Sequence, residues 1–178
     1  MPAAVSEYIP QLARDAESAR RAGRARGAWV AAAVGAAGLL ALIAAAPLLK
    51  AGGMQAAAEA VYGAFAFVCH QEGGRSFHVA GFKLAVCARC LGLYAAAPAG
   101  ALLALASRPR ALDRGGNLLV LGMAGLPTAI SWLGEHVLGW PMTNAVRFAA
   151  ALPLGAAVAW VVARTLGVQY TLSDARRG

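Results

Sequence analysis

Long apolar stretches separated by short polar ones dominate the chain. Residues 28–49 carry no charged side chain, and 117–139 and 144–166 are nearly as apolar. Each is long enough to cross a hydrocarbon core of about 30 Å as a helix. A fourth run, 84–106, has the length but carries Arg89 and two cysteines near its start. The pattern predicts an all-α integral membrane bundle of about four transmembrane helices. Pro98, Pro127 and Pro153 fall inside these runs, where membrane helices tolerate them because neighbouring groups satisfy the freed carbonyls.

A shorter apolar piece, 54–70, decides the topology. If it spans, the loop 107–116 with Arg108, Arg110 and Arg114 falls outside, against the preference for positive charge on the cytoplasmic side. If it is a short interfacial or re-entrant helix, that loop lies inside, together with Arg176 and Arg177 of the tail and the arginines of the N-terminal arm. The second arrangement is preferred. It gives a polar basic cytoplasmic arm (1–27), a transmembrane domain (28–166) and a cytoplasmic tail (167–178), with both termini in the cytoplasm. Residues 69–90 then lie at the outer face.

Composition agrees: 60% of the 178 residues are hydrophobic and 13% charged, far from the balance of soluble domains. The formal charge of +8 comes from arginines beside apolar runs, which set topology and meet anionic lipid. No basic stripe is interleaved with stacking aromatics, so nucleic acid is not an expected partner; the lipid bilayer is. Trp132, Trp140 and Tyr62 fit an outer aromatic belt.

The chemistry is concentrated in "VCHQEGGRSFHVAGFKLAVCARC" (68–90), which holds all three cysteines. Cys87 and Cys90 share a face near a helix N-terminus, where free backbone N–H groups and the helix dipole favour thiolate. With Cys69 and His70 they make a Cys3His set of the kind that closes a zinc site, and soft sulfurs favour zinc or iron over hard cations. Adjacent Cys69 and His70 point different ways unless the backbone turns sharply, so His78 is a substitute ligand, and the glycines of "EGGR" supply such a turn. Polar groups from two other apolar runs arrive at the same face: Glu135 and His136, then Thr143, Asn144 and Arg147. Arg147 and Asn144 share a helix face, and Arg147 is expected to pair with Glu135, Glu59 or a bound anion. With Arg75 they are the expected cofactor- or substrate-binding groups.

The same residues resemble the domain of unknown function 2085 family, small prokaryotic membrane proteins with a C-H, R-S-F and C-x-R-C-x-G-x-Y signature. Here the positions are Cys69, His70, Arg75, Ser76, Phe77, Cys87, Arg89, Cys90, Gly92 and Tyr94. "TNAVRF" is similar to the family's S-x-N-x-x-R-F segment, with Met142 in place of the serine. Ser131 and Glu135 stand where the family tends to have Asp and Gln. The resemblance spans roughly residues 60–160 and implies a prokaryotic plasma-membrane location; it implies no activity.

Three functions remain open. One is an outer-face Cys/His metal site. Another is a thiol–disulfide oxidoreductase passing electrons from a redox partner protein to a quinone, which resembles the disulfide-generating quinone reductases in architecture although the chain has three cysteines and no second pair. The third is a structural or interaction protein with a stabilising disulfide. No phosphate-cradling glycine loop, H-E-x-x-H or G-x-S-x-G occurs. Without an internal repeat, a carrier role would require a homo-oligomer.

Overall fold

The computed structural model describes residues 16–17, 19–20, 32, 34–106 and 114–175. Most of the N-terminal arm, the loop 107–113 and the last three residues lie outside the described residues. The chain divides into two compact units, Met1–Ala37 and Gly38–Gly178, and the account below concerns the second.

The molecule is helical, as the apolar runs predict. Helix α1 (Val34–Ala51) ends at Gly53, whose φ of 77° reverses the chain, and the amide of Met54 closes back on the Leu49 carbonyl. Helix α2 (Gln55–Ala66) follows at once. Its 12 residues reach about 18 Å at 1.5 Å per residue, short of the roughly 30 Å of a hydrocarbon core. Three longer helices complete the bundle: α3 (Ala88–Ala106), α4 (Arg114–His136) and α5 (Asn144–Ala175). Among the described residues α1, α4 and α5 contain spans long and apolar enough to cross a membrane, with a shorter apolar helix, Ala88–Ala104, within α3. Leu118, Leu119, Met123, Leu126, Ile130 and Leu133 of α4 are all exposed, an apolar surface of the kind that lipid covers.

Small residues let α3 and α5 approach backbone to backbone. A Cβ on Gly100 would lie 1.9 Å from the Ala156 carbonyl oxygen, and one on Gly155 2.3 Å from that of Leu93. Close approach of this kind holds helices together in lipid, where apolar side chains gain nothing by leaving the solvent. Thr128 of α4 adds a hydrogen bond to the Ala150 carbonyl of α5 at 2.8 Å. Pro98, Pro127 and Pro153 are each accommodated within a continuous helix.

Several boundaries differ from the sequence reading: α2 ends at Ala66 rather than 70, α4 runs Arg114–His136 rather than 117–139, and α3 and α5 differ as follows. Residues 84–87 are not helical. They continue out of a two-stranded hairpin, β1 (His78–Val79) with β2 (Phe82–Lys83), and the Leu84 amide bonds the Phe77 carbonyl at 2.8 Å. The hairpin turns on Ala80 and Gly81, both at positive φ (51° and 83°), the requirement of a two-residue type I′ turn. Helix α5 also continues past residue 166, to Ala175. A core of Ile43, Ala46, Phe65, Leu84, Ala85 and Val86 joins α1, α2 and the segment before α3, with Cys69 buried in it and Cys87, Cys90 and Tyr94 packed against it.

Candidate metal centre and arginine cluster

The three cysteines converge although they come from separate segments. Cys69 follows α2, where its amide closes the last turn on the Phe65 carbonyl at 2.9 Å. Cys87 is the residue before α3, the N-cap position, and Cys90 lies on its first turn. Their sulfurs all lie within 4.8 Å of one another, and all three thiols are free.

Backbone donors surround this sulfur set. The Cys69 sulfur accepts the Cys87 amide at 3.1 Å and the Gln71 amide at 3.4 Å. Gln71 can donate because its φ is 51°, which folds the chain back over Cys69. The sharp turn expected of Gly73 and Gly74 is therefore made at Gln71; the two glycines sit in a short 3-10 turn (Gly73–Arg75) with ordinary negative φ. Gln71 is held by its side-chain amide on the Tyr62 carbonyl at 2.6 Å and by Lys83, whose ammonium donates to the Gln71 carbonyl. Tyr62 in turn donates to the Lys83 carbonyl. At the N-cap, the Cys87 sulfur accepts from the Cys90 thiol and from the amides of Cys90 and Arg89, which lowers the Cys87 pKa to about 5. A capping thiolate satisfies amides that the first turn otherwise leaves unpaired.

His70 and His78 are both exposed. Neither joins the sulfurs within the 4.8 Å cluster, but His70 lines a pocket of about 90 Å³ that Cys87 also lines, with Glu72, Arg75, Arg89 and Arg147.

The three arginines that line the pocket belong to an ion cluster centred on Glu135. Arg147 donates NH2 to one oxygen at 2.7 Å and Nε to the other at 3.3 Å. Arg89 reaches the second oxygen at 2.8 Å and Arg75 the first at 3.0 Å. Of the partners expected for Arg147, namely Glu135, Glu59 or a bound anion, Glu135 is the one it meets. Its place as the hub of three arginines, Arg89 among them, is not an expectation of the sequence reading. Ser131, one turn earlier on α4, sits 3.4 Å from the Arg89 NH2 group. The available signal was the spacing of Ser131 and Glu135, which places both on one face of an apolar helix. His136 donates Nδ1–H to the Trp132 carbonyl at 2.9 Å, so its Nε2 accepts from Arg75 at 3.0 Å.

The R-S-F and N-x-x-R-F segments interlock residue by residue. Arg75 and Arg147 share Glu135. The Asn144 side chain donates to the Ser76 carbonyl at 2.9 Å and accepts from Arg147 at 2.7 Å. Phe77 meets Phe148 edge to face, ring centres 6.1 Å apart. The N-terminal end of α3, the C-terminal end of α4 and the N-terminal end of α5 are thereby tied to the loop that carries Cys69.

A protein family described as predicted membrane protein (DUF2085) matches residues 69–161, just over half of the chain. The uncharacterized protein MJ1492 of Methanocaldococcus jannaschii is 50% identical over 34 residues, 19% of this chain and 22% of that protein. The chain therefore spans about a fifth of the length of the curated relative it matches. No solved structure matches the chain.

Proposed function

The chain belongs to the DUF2085 family of predicted membrane proteins, and on that premise we propose that it holds a transition-metal ion, zinc or iron, on Cys69, Cys87 and Cys90 at the outer face of the membrane. The observation that carries this reading is the mutual approach of the three sulfurs within 4.8 Å. A zinc–sulfur bond of about 2.3 Å sets ligand sulfurs about 3.8 Å apart in a tetrahedron, so only a small inward shift is needed. Backbone N–H groups donate to the sulfurs of both Cys69 and Cys87, and at Cys87 they support thiolate.

His70 and Cys87 line the same pocket, so a fourth ligand would come from that side: His70, were its ring brought round to the sulfurs, or water or a substrate. Arg75, Asn144 and Arg147 then stand on the substrate side. The location rests on four crossings by α1, α3, α4 and α5, which leave both termini cytoplasmic, with α2 lying at the interface. The shortness of α2 and the exposure of Phe67 and Val68 just after it support an interfacial helix whose end dips into lipid.

X-ray absorption at the zinc and iron edges of detergent-purified protein tests the ligand set. Three sulfurs at about 2.3 Å with one lighter scatterer is the expected shell. A shell of nitrogen and oxygen alone contradicts it. Quinone-coupled thiol–disulfide exchange would use the same Cys87 and Cys90, and becomes the reading if the cysteines oxidise to a disulfide and no metal binds.

A further inference from the structure

Three guanidiniums meet one carboxylate at the end of this bundle. Glu135 accepts three hydrogen bonds, two from Arg147 and one from Arg89, and forms an ion pair with Arg75 at 3.0 Å. Its single charge faces three guanidiniums. Glu72 pairs with Arg75 at 3.1 Å, but the Glu72 side chain is 57% exposed, whereas those of Arg89 and Arg147 are 14% and 10% exposed. The other counter-charges are the exposed Glu72 and the Cys87 thiolate, which lines the same pocket, and charge held this deep beside apolar helices is costly when only partly compensated. The Nε of Arg89 is moreover buried without a hydrogen-bond partner, in a class of group that almost always finds one. All three arginines line the same pocket.

Positive charge only partly compensated and a cavity lined by all three guanidiniums call for an anion. We infer that the pocket binds a small oxyanion of the phosphate class, gripped by N–H groups of Arg75, Arg89 and Arg147. Guanidinium forks match phosphate oxygens in pairs. A flat carboxylate offers two oxygens in one plane. A tetrahedral oxyanion offers oxygens in several directions, which suits donors arriving from the 72–77 loop, the start of α3 and the start of α5. The phosphate group comes either from free solute or from the headgroup of an anionic phospholipid. The inference concerns the pocket that Cys87 and His70 also line, but none of the three arginines is a metal ligand, so phosphate binding and metal content are measured separately.

Calorimetric titration of inorganic phosphate into the full-length protein in phosphatidylcholine nanodiscs is the test, with sodium chloride at matched ionic strength as the control. Saturable phosphate binding is expected, weakened about tenfold or more in Arg75→Gln, which removes charge-assisted bonds from the pocket rim. Glu135→Gln is expected to bind phosphate more tightly than wild type, because the competing carboxylate charge is gone. A phosphate-dependent rise in the unfolding temperature of the wild type at matched ionic strength is also expected, and keeps the test decisive even if either variant folds poorly. A parallel titration in discs doped with phosphatidic acid separates the sources: loss of phosphate binding there assigns the site to the headgroup, and unchanged binding assigns it to the free anion. Absence of saturable binding in undoped discs, with no rise in unfolding temperature on adding phosphatidic acid, overturns the inference. Equal affinity in wild type and Glu135→Gln overturns it as well.

Discussion

Arg147, one turn into α5, clasps Glu135, at the end of α4, through both of its carboxylate oxygens at 2.7 and 3.3 Å. That fork fixes the α4–α5 connection, and through Arg75 and Arg89 the same carboxylate holds the loop after Cys69 and the start of α3. Replacing Glu135 with Ala leaves three guanidiniums facing one another, and removing one partner of a buried pair costs about 3–5 kcal/mol. The expected outcome is a large loss of thermal stability in detergent. In a double-mutant cycle with Arg147→Ala the two losses should be strongly non-additive.

Cys87 should be unusually reactive in the reduced, metal-free protein. Hydrogen bonds from the Cys90 thiol, then from backbone amides, hold its pKa at about 5, against an unperturbed thiol near 8.5. Peptide-resolved iodoacetamide labelling should retain Cys87 thiolate reactivity down to about pH 5 and lose it below. The folded pKa is depressed, so the unfolded chain binds the extra proton between the two values. The stability of the metal-free protein from this group therefore rises with pH across that window and is lost as pH falls through about 5. A labelling midpoint near pH 8.5 contradicts the capping geometry.

The close approach of α3 and α5 gives a contrast between glycines. Gly100→Ala forces a Cβ against the Ala156 carbonyl, and overpacking of this kind costs about 1–3 kcal/mol. Gly122→Ala on α4 meets nothing within 4 Å and should be neutral. Thermal unfolding of the two variants in the same detergent checks the difference.

The hairpin turn offers a substitution that stabilises. Ala80 holds a φ of 51° on an exposed turn, a conformation that costs a residue with a Cβ about 1–2 kcal/mol. Ala80→Gly should raise the unfolding temperature, whereas Gly81→Val, at φ 83°, should lower it and loosen the approach of Cys87 to Cys69.

Much of this was legible in the sequence because lipid simplifies the problem: apolar runs long enough to cross become helices, and polar residues within them gather. Cys69, Cys87 and Cys90 meet as their spacing suggests, and Arg147 finds Glu135. The start of α3 was not legible. Leu84, Ala85 and Val86 are apolar and read equally well as buried helix or buried strand; the long-range bond from Leu84 to Phe77 decides for the extended form. His70 follows Cys69 directly, and a neighbour in sequence turns away unless the backbone reverses. The reversal comes one residue later, at Gln71, and holds an amide rather than an imidazole against the Cys69 sulfur. Glu135 as hub was hidden because its arginines come from three segments with no shared periodicity.

The central claim is that the three cysteines hold a metal, and plasma mass spectrometry of purified protein tests it most directly, with wild type beside Cys87→Ser and Cys90→Ser and free thiols counted on the same samples. Zinc or iron near one per chain in wild type, lost in both variants, is the expected result. A wild-type protein free of metal, with two thiols that react only after reduction, would contradict the metal site and establish a disulfide-bonded cysteine pair in its place.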